Sequence, residues 1–179
     1  MTQRRRVLVY ARVSDNQSLD PRIQRNIMKI IALAVTLLVG SIMCSALAQE
    51  PLVVQPDTLK WGPAPPFLPT GPQSVVISGD PTKEGPYVLR LRFPAGFKIA
   101  PHMHPNDENV TVISGMFHFG IGEKFDEAKA QAIKPGGFAQ APKGVKHFAW
   151  ASQETVIQLH GVGPGGVTYV NPADDPRKK

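Results

Sequence analysis

The stretch that decides the fold is GFKIAPHMHPNDENVTVISG, which runs from Gly96 to Gly115. It holds three side chains that bind metals well, His102, His104 and Glu108. Side chains two apart on a strand point to the same face, so both imidazoles point the same way. The turn-forming residues that follow His104 let the next strand bring the carboxylate beside them. The stretch therefore predicts a metal site on two adjacent strands.

A fourth histidine, His147, follows a turn that contains Pro142 and Gly144. We expect it to meet the first three side chains inside a small β-barrel, where the four hold a divalent metal. Four protein ligands on an octahedral ion leave two positions open for water or substrate. The chain has one cysteine, Cys44, which lies far upstream in an apolar stretch. The predicted ligand atoms are therefore nitrogen and oxygen, not sulfur.

Short strands separated by turns lie on both sides of this stretch. In residues 87–93 apolar side chains alternate with arginines and a valine, which is the period of a half-buried strand. Arg90 and Arg92 belong to the outward set and are expected to face solvent or a partner subunit. Residues 123–132 are compatible with one helical turn or a surface loop. The pattern predicts an all-β, single-domain antiparallel sandwich or barrel over residues 74–170.

Proline-rich and polar segments flank the predicted barrel. Residues 49–73 hold seven prolines, so neither a helix nor a central strand is expected there. We predict an extended arm that packs on the domain or on a neighbouring subunit, with Trp61 and Phe67 as its anchors. Residues 171–179 are predicted to form a C-terminal tail whose final stretch, DDPRKK, is solvated.

The glycines, histidines and glutamate of this region resemble the two motifs of the cupin family. The first motif, G-x5-H-x-H-x3-E-x6-G, is met at every position of the opening stretch. The second, G-x5-P-x-G-x2-H-x3-N, is matched by Gly136, Pro142, Gly144 and His147, and departs only at Ala151, where the family has asparagine.

The resemblance implies a jelly-roll β-barrel with a metal near one mouth, held by His102, His104, Glu108 and His147. Iron or manganese is favoured, and nickel, copper, cobalt or zinc are possible. The family includes dioxygenases, isomerases, decarboxylases, lyases and proteins that store or sense without chemistry. Many members dimerise, so a homodimer is expected.

Other polar and aromatic residues have weaker functional signals. His118 and His160 share plausible inward faces, and with Glu108 they are the candidate catalytic residues, as proton carriers or as donors beside the metal ligands. A structural, hydrogen-bonded role is the alternative for both histidines. Gln140 is a weaker cavity candidate. The following aromatic residues are expected in the core or a subunit interface: Phe117, Phe119, Phe148 and Trp150.

The basic character of the chain is confined to its start. The formal net charge is +6, yet residues 1–48 hold seven Lys or Arg and two Asp or Glu. The remainder is close to neutral, which argues against a nucleic-acid partner. Residues 28–48 have the basic start, apolar core and A-x-A end of a secretory signal peptide. We therefore expect a periplasmic or secreted protein that meets a membrane only during export, with a retained anchor as the alternative.

Residues 7–24 resemble the first strand and loop of serine recombinases. In that family the residues at Ser14 and Arg12 of this chain attack DNA and assist the attack. The resemblance covers about twenty residues, and a strand without a sheet cannot hold a nucleophile in place. We interpret residues 1–27 as a mis-set start or a fusion remnant and expect no recombination activity.

Two functions follow from the site. The first is a metal-dependent enzyme, of the dioxygenase or isomerase class, that acts on a small molecule. The second is a non-catalytic periplasmic binding or sensing protein with a structural metal. An open, polar cavity around His147 would favour the enzyme, and a cavity filled by Phe and Met would favour the binding protein.

Overall fold

The computed structural model describes residues 20–30 and 50–179. The chain divides into two compact units, Met1–Leu52 and Val53–Lys179. In the first unit, residues 21–30 are helical and exposed. Among the described residues, no helix combines the length and apolar character that crossing a membrane requires. Most of the predicted signal peptide and of the recombinase-like segment lies outside the described residues, so both stay predictions.

The second unit consists of two antiparallel sheets. One sheet has the order β1-β2-β3-β10-β5-β8 and the other the order β11-β4-β9-β6-β7. The strands of the first sheet are β1 (Gly62–Pro63), β2 (Gln73–Ser78), β3 (Gly85–Phe93), β5 (Glu108–Ser114), β8 (Phe138–Ala141) and β10 (Thr155–Gly163). Those of the second are β4 (Lys98–Met103), β6 (Phe117–Ile121), β7 (Gln131–Ile133), β9 (His147–Ala151) and β11 (Thr168–Tyr169).

Short 3-10 helices lie outside the sheets, at Pro56–Thr58, Glu127–Lys129, Pro172–Asp174 and Pro176–Lys178. The predicted fold class, an all-β antiparallel jelly roll, is confirmed by the two sheets. Residues 123–132 contain the helical turn Glu127–Lys129 and enter β7 at Gln131. Strand β7 was missed because its three residues are too few to show an alternating pattern.

The core is built in rows by the register of the first sheet. Leu159 on β10 lies opposite Leu89 on β3 and Val110 on β5. Two residues earlier, Ile157 lies opposite Leu91 and Val112 in the same way. All of these side chains are buried. Because alternate residues share a face, each strand contributes one apolar side chain to each successive row.

The corner at Gly115 carries the chain from one sheet to the other, between β5 and β6. Thr155, which is fully buried, accepts a hydrogen bond from the backbone N–H of Met116 at 3.0 Å. Gly115 has a φ of 83°. A Cβ atom at that position would lie 2.3 Å from the carbonyl oxygen of Glu154. Glycine is therefore required at position 115 for two reasons. The backbone has a left-handed conformation, and the start of β10 lies too close for a Cβ atom.

The arm and the C-terminal segment both pack on the barrel. The guanidinium carbon of Arg92 lies 4.1 Å from the centre of the Trp61 ring. Leu68 is buried in the core, and the hydroxyl of Tyr169 donates to the carbonyl oxygen of Phe67 at 2.8 Å.

The predicted solvated tail is partly wrong. Asp175 is buried, and both of its carboxylate oxygens accept hydrogen bonds from Arg177, at 2.7 and 2.8 Å. Arg177 also donates to the carbonyl oxygen of Val167 at 3.0 Å. These contacts hold the tail against the segment that precedes it.

We expect Gly115→Ala to destabilise the protein more than Gly136→Ala. Both glycines have a φ of 83°, but only a Cβ at Gly115 meets backbone atoms within 4 Å. The left-handed conformation costs a non-glycine residue about 1–2 kcal/mol, and the clash adds about 1–3 kcal/mol. Urea unfolding of both variants measures the difference. Equal loss of stability would show that contact with β10 contributes nothing.

Candidate metal centre

Three strand ends bring the predicted ligands together at one end of the barrel. His102 on β4 lies opposite His147 on β9, and His104 follows the end of β4. Glu108 is the first residue of β5 in the facing sheet. The nitrogen atoms that His102, His104 and His147 can offer to a metal all lie within 4.8 Å of one another. Oε2 of Glu108 lies 3.2 Å from Nε2 of His104 and 3.6 Å from Nε2 of His147.

Backbone carbonyls fix the tautomer of all three histidines. Nδ1 of His102 lies 2.8 Å from the carbonyl oxygen of Ala100. Nδ1 of His104 lies 2.7 Å from the carbonyl oxygen of Gly166, and Nδ1 of His147 lies 3.0 Å from the carbonyl oxygen of Val145. A carbonyl oxygen can only accept, so each Nδ1 carries the proton. Each neutral ring then presents the Nε2 lone pair, the arrangement that metal-binding histidines use.

The described part of the protein supplies no hydrogen-bond donor to the Nε2 atoms of His104 and His147. Within the described residues, Nε2 of His104 and Nε2 of His147 are buried and have no hydrogen-bond partner. Glu108 lies close to both atoms, but neither pair forms a hydrogen bond. Buried polar atoms without partners are rare in proteins. A metal ion bonded to these nitrogens would satisfy them, so the residues present fit a divalent metal.

Charge at the site also favours a cation. Burial, together with repulsion from His147 and His104, lowers the pKa of His102 to about 3. Burial alone would raise the pKa of Glu108, but the imidazoles of His104 and His147 outweigh that effect and hold it below its ordinary value. For His104, Glu108 overcomes the effect of burial and raises the pKa. The site thus combines an ionised carboxylate with a strictly neutral imidazole.

A cavity of about 340 Å³ opens beside these four residues. Its lining is mostly apolar and comes from both sheets, from the arm and from the segment before β11. Phe117 and Phe119 line it, while Pro66 and Thr82 are exposed at its rim. The cavity is neither polar nor filled by aromatic side chains. The expected contrast between those two cases was therefore too simple.

Two features of the cavity were missed by the sequence analysis. Tyr87 lines it, and a Cβ atom on Gly165 would lie 3.2 Å from the tyrosine hydroxyl. The alternation with Leu89 placed Tyr87 on the inward face of β3, but no sequence motif marked Tyr87 as a functional residue. The second feature is the carbonyl of Gly166, which orients His104. No sequence signal predicts that contact across 62 residues.

The other catalytic candidates do not lie in the cavity. His118 stacks on Trp150, with ring centres 3.8 Å apart, and its Nε2 lies 3.1 Å from Oγ of Ser152. His160 is exposed on β10. Among the three candidates the structure brings only Glu108 to the cavity.

Outward-facing polar residues of the first sheet bind one another. Arg90 donates from Nε to Gln158 at 3.0 Å. Gln140 donates to Asn109 at 3.0 Å and is exposed. Of the aromatic residues expected in the core, Phe148 is fully buried and tilts against Phe125 with ring centres 5.0 Å apart. These contacts give the residues structural roles on or near the outer surface of the barrel.

We expect His102→Ala to abolish stable metal binding and His160→Ala to leave it unchanged. Loss of an outer hydrogen-bond partner weakens a metal site about 10- to 100-fold, and loss of a ligand should cost at least about 100-fold. Both variants remove one imidazole, but only His102 belongs to the cluster. Competition with a chromogenic chelator measures the affinity. Equal affinity for the two variants would place the metal elsewhere.

A second expectation concerns Glu108→Gln. The substitution keeps size and removes the negative charge beside His104 and His147. Affinity for a divalent metal should fall, by less than in His102→Ala, because three imidazoles remain. The same chelator competition tests the order of the three affinities. Unchanged affinity in Glu108→Gln would show that the carboxylate does not hold the ion.

The fold has counterparts among solved structures. A polyketide cyclase, RemF from Streptomyces resistomycificus, is 14% identical with a TM-score of 0.55, over 72% of this chain and 92% of that one. A protein provisionally assigned as an acetylacetone dioxygenase, from Methylibium petroleiphilum PM1, is 19% identical with a TM-score of 0.54, over 72% and 86%. An RmlC-like cupin from Shewanella frigidimarina NCIMB 400 is 12% identical with a TM-score of 0.49, over 64% and 91%.

At these identities the likeness concerns the fold alone. A search of the curated proteins found no match. A family model described as a domain of unknown function, DUF4437, matches residues 53–176. That range covers most of the arm, both sheets and the whole metal cluster. The chain therefore belongs to the DUF4437 family.

Proposed function

We propose that the protein is an exported, metal-dependent enzyme of the dioxygenase or isomerase class that acts on a small molecule in the cavity. One observation carries the proposal. Three histidines, each with its Nδ1 proton held by a carbonyl, turn their Nε2 atoms toward one another beside a cavity large enough for a ligand. A purely structural metal site is normally closed by its ligands, whereas a catalytic one borders open space.

The histidines bind the metal in this proposal, and Glu108 both binds the metal and accepts a proton. The three imidazoles would hold a divalent metal, iron or manganese by preference, which when bound would polarise a substrate oxygen and exchange electrons. Glu108 completes the ligand set. It is also the one carboxylate that lines the cavity among the described residues. A proton removed from a substrate beside the metal would therefore go to an oxygen of Glu108.

The rest of the cavity excludes water and orients the substrate. Its walls are apolar, so a bound substrate is surrounded by side chains that exclude water and strengthen electrostatic contacts at the metal end. The Tyr87 hydroxyl can donate a hydrogen bond to a substrate oxygen there. Burial raises the pKa of Tyr87, and Glu108 adds to that effect, so the hydroxyl keeps its proton at neutral pH.

The second candidate function is binding or sensing without chemistry. It is favoured by the small number of polar groups in the cavity, since His118 and His160 lie outside it. In that case Glu108 and the histidines hold a metal that fixes the polar end of a ligand. Export and the homodimer stay predictions from the sequence.

The test is metal analysis of protein from its native compartment, followed by turnover with a broad panel of small molecules. We expect iron or manganese at about one ion per chain, and conversion of at least one compound with or without oxygen uptake. Glu108→Gln protein reloaded with metal should convert it at least about 100-fold more slowly. Metal-loaded protein that binds compounds but returns each one unchanged would favour the binding function.

A further inference from the structure

We infer that the cavity takes a molecule with a single small oxygen-bearing head and an unbranched or flat apolar body, and not a sugar or a multiply charged compound. The inference rests on the proposed function, because the head is placed at the metal. It adds the chemical class of the ligand, which follows from how polar and apolar groups are distributed in the cavity.

Polar groups lie at one end because of strand register. His102 and His147 lie opposite each other on β4 and β9, and Glu108 begins β5. Tyr87 is two residues before Leu89 on β3, level with Gly161 rather than with the apolar row. Four strands thus place their cavity-facing polar side chains at the same level. A ligand has hydrogen-bonding and metal-binding partners at that level.

The next levels of the cavity are apolar. Two residues further along β9, β5 and β3, about 7 Å deeper, the lining changes to Ala149, Val110 and Leu89. Two residues beyond these come Leu91 and, on β10, Ile157. The lining of these two levels therefore offers a ligand apolar side chains and no polar ones. An apolar body fits this depth, and each methylene it buries contributes to affinity.

Charged and hydroxyl-rich ligands are disfavoured by the same lining. Among the described residues, no lysine or arginine lines the cavity. The Thr82 hydroxyl, at the rim, already donates to Asp80 at 2.7 Å. A sugar would bury several hydroxyl groups without partners, and each such group costs free energy. A volume of about 340 Å³ also sits near the lower end of ligand cavities, which limits the length of the body.

The experiment uses hydroxamic acids, whose head chelates a metal through two oxygens, with the full chain loaded with zinc. Zinc has no redox chemistry, so the probes stay intact. Calorimetry gives the dissociation constant for straight-chain probes from acetohydroxamic to octanohydroxamic acid. We expect affinity to rise about fourfold per methylene until the cavity is full. Gluconohydroxamic acid, matched in length to hexanohydroxamic acid, should bind no better than acetohydroxamic acid.

Variants locate the apolar body in the cavity. Ala149→Leu adds three carbons directly below His147 and should end the rise after short chains, so that affinity falls more for long probes than for acetohydroxamic acid. Ala132→Leu adds the same carbons to β7, at an exposed residue that does not line the cavity, and should follow the parent series. Ile157→Val is a milder change that should move the end of the rise to longer chains, which keeps the test open if Ala149→Leu fails to fold.

The outcomes separate the two proposals. If zinc does not bind, the proposed function fails, and this inference fails with it. If zinc and acetohydroxamic acid bind but chain length has no effect, or gluconohydroxamic acid binds as well as hexanohydroxamic acid, the inference fails alone. A rise with chain length that Ala149→Leu leaves intact would place the apolar body outside the cavity and also overturn it.

Discussion

The metal centre depends on three hydrogen bonds to backbone carbonyls. Each carbonyl takes the Nδ1 proton of one histidine, so each Nε2 lone pair is directed away from it. Without these contacts a neutral imidazole could present either nitrogen, and three rings would have many combinations. Two carbonyls belong to residues two positions before the histidine they hold, at Ala100 and Val145. The third, at Gly166, comes from a distant segment, so His104 depends on the tertiary fold.

At the metal end, Glu108 depends on the imidazoles beside it to keep its charge. An isolated buried carboxylate would be protonated, and an isolated buried imidazole would lose its basicity. Beside the imidazoles, Glu108 has its pKa held below the ordinary value in spite of burial. The ionised group then offers charge to a cation, and His102, with its pKa lowered to about 3, offers a lone pair. The apolar walls strengthen both effects by excluding water.

Much of the architecture was readable from the sequence because its signals are local. The alternating residues 87–93 lie within β3, and His102 and His104, which are two residues apart, both belong to the metal cluster as their spacing predicted. The inward face assigned to His118 was not readable. Alternation fixes which residues share a face, but only tertiary packing decides which face meets the core.

Contacts between distant segments could not be predicted for a different reason. The packing of Phe67 with Tyr169, the closure of the cavity by the arm, and the bond from His104 to Gly166 all join residues far apart in sequence. Each of these segments is rich in glycine or proline and has no periodic pattern. These segments contribute to the site because the ends of the barrel position them there. Local sequence composition does not reveal that position.

The joining of Phe67 to Tyr169 has a consequence for the order of events during synthesis. A hydrogen bond across 102 residues closes one of the largest loops available to the domain. Loop closure of that length is slow and comes after local hairpins have formed. Strand β10 lies between β3 and β5, so the first sheet is incomplete until residues 155–163 are available. The carbonyl of Gly166 that supports His104, and the hydroxyl of Tyr169 that binds the arm, come later still in the chain. The site therefore matures last, and a nascent chain cannot bind its ligand as the finished protein does.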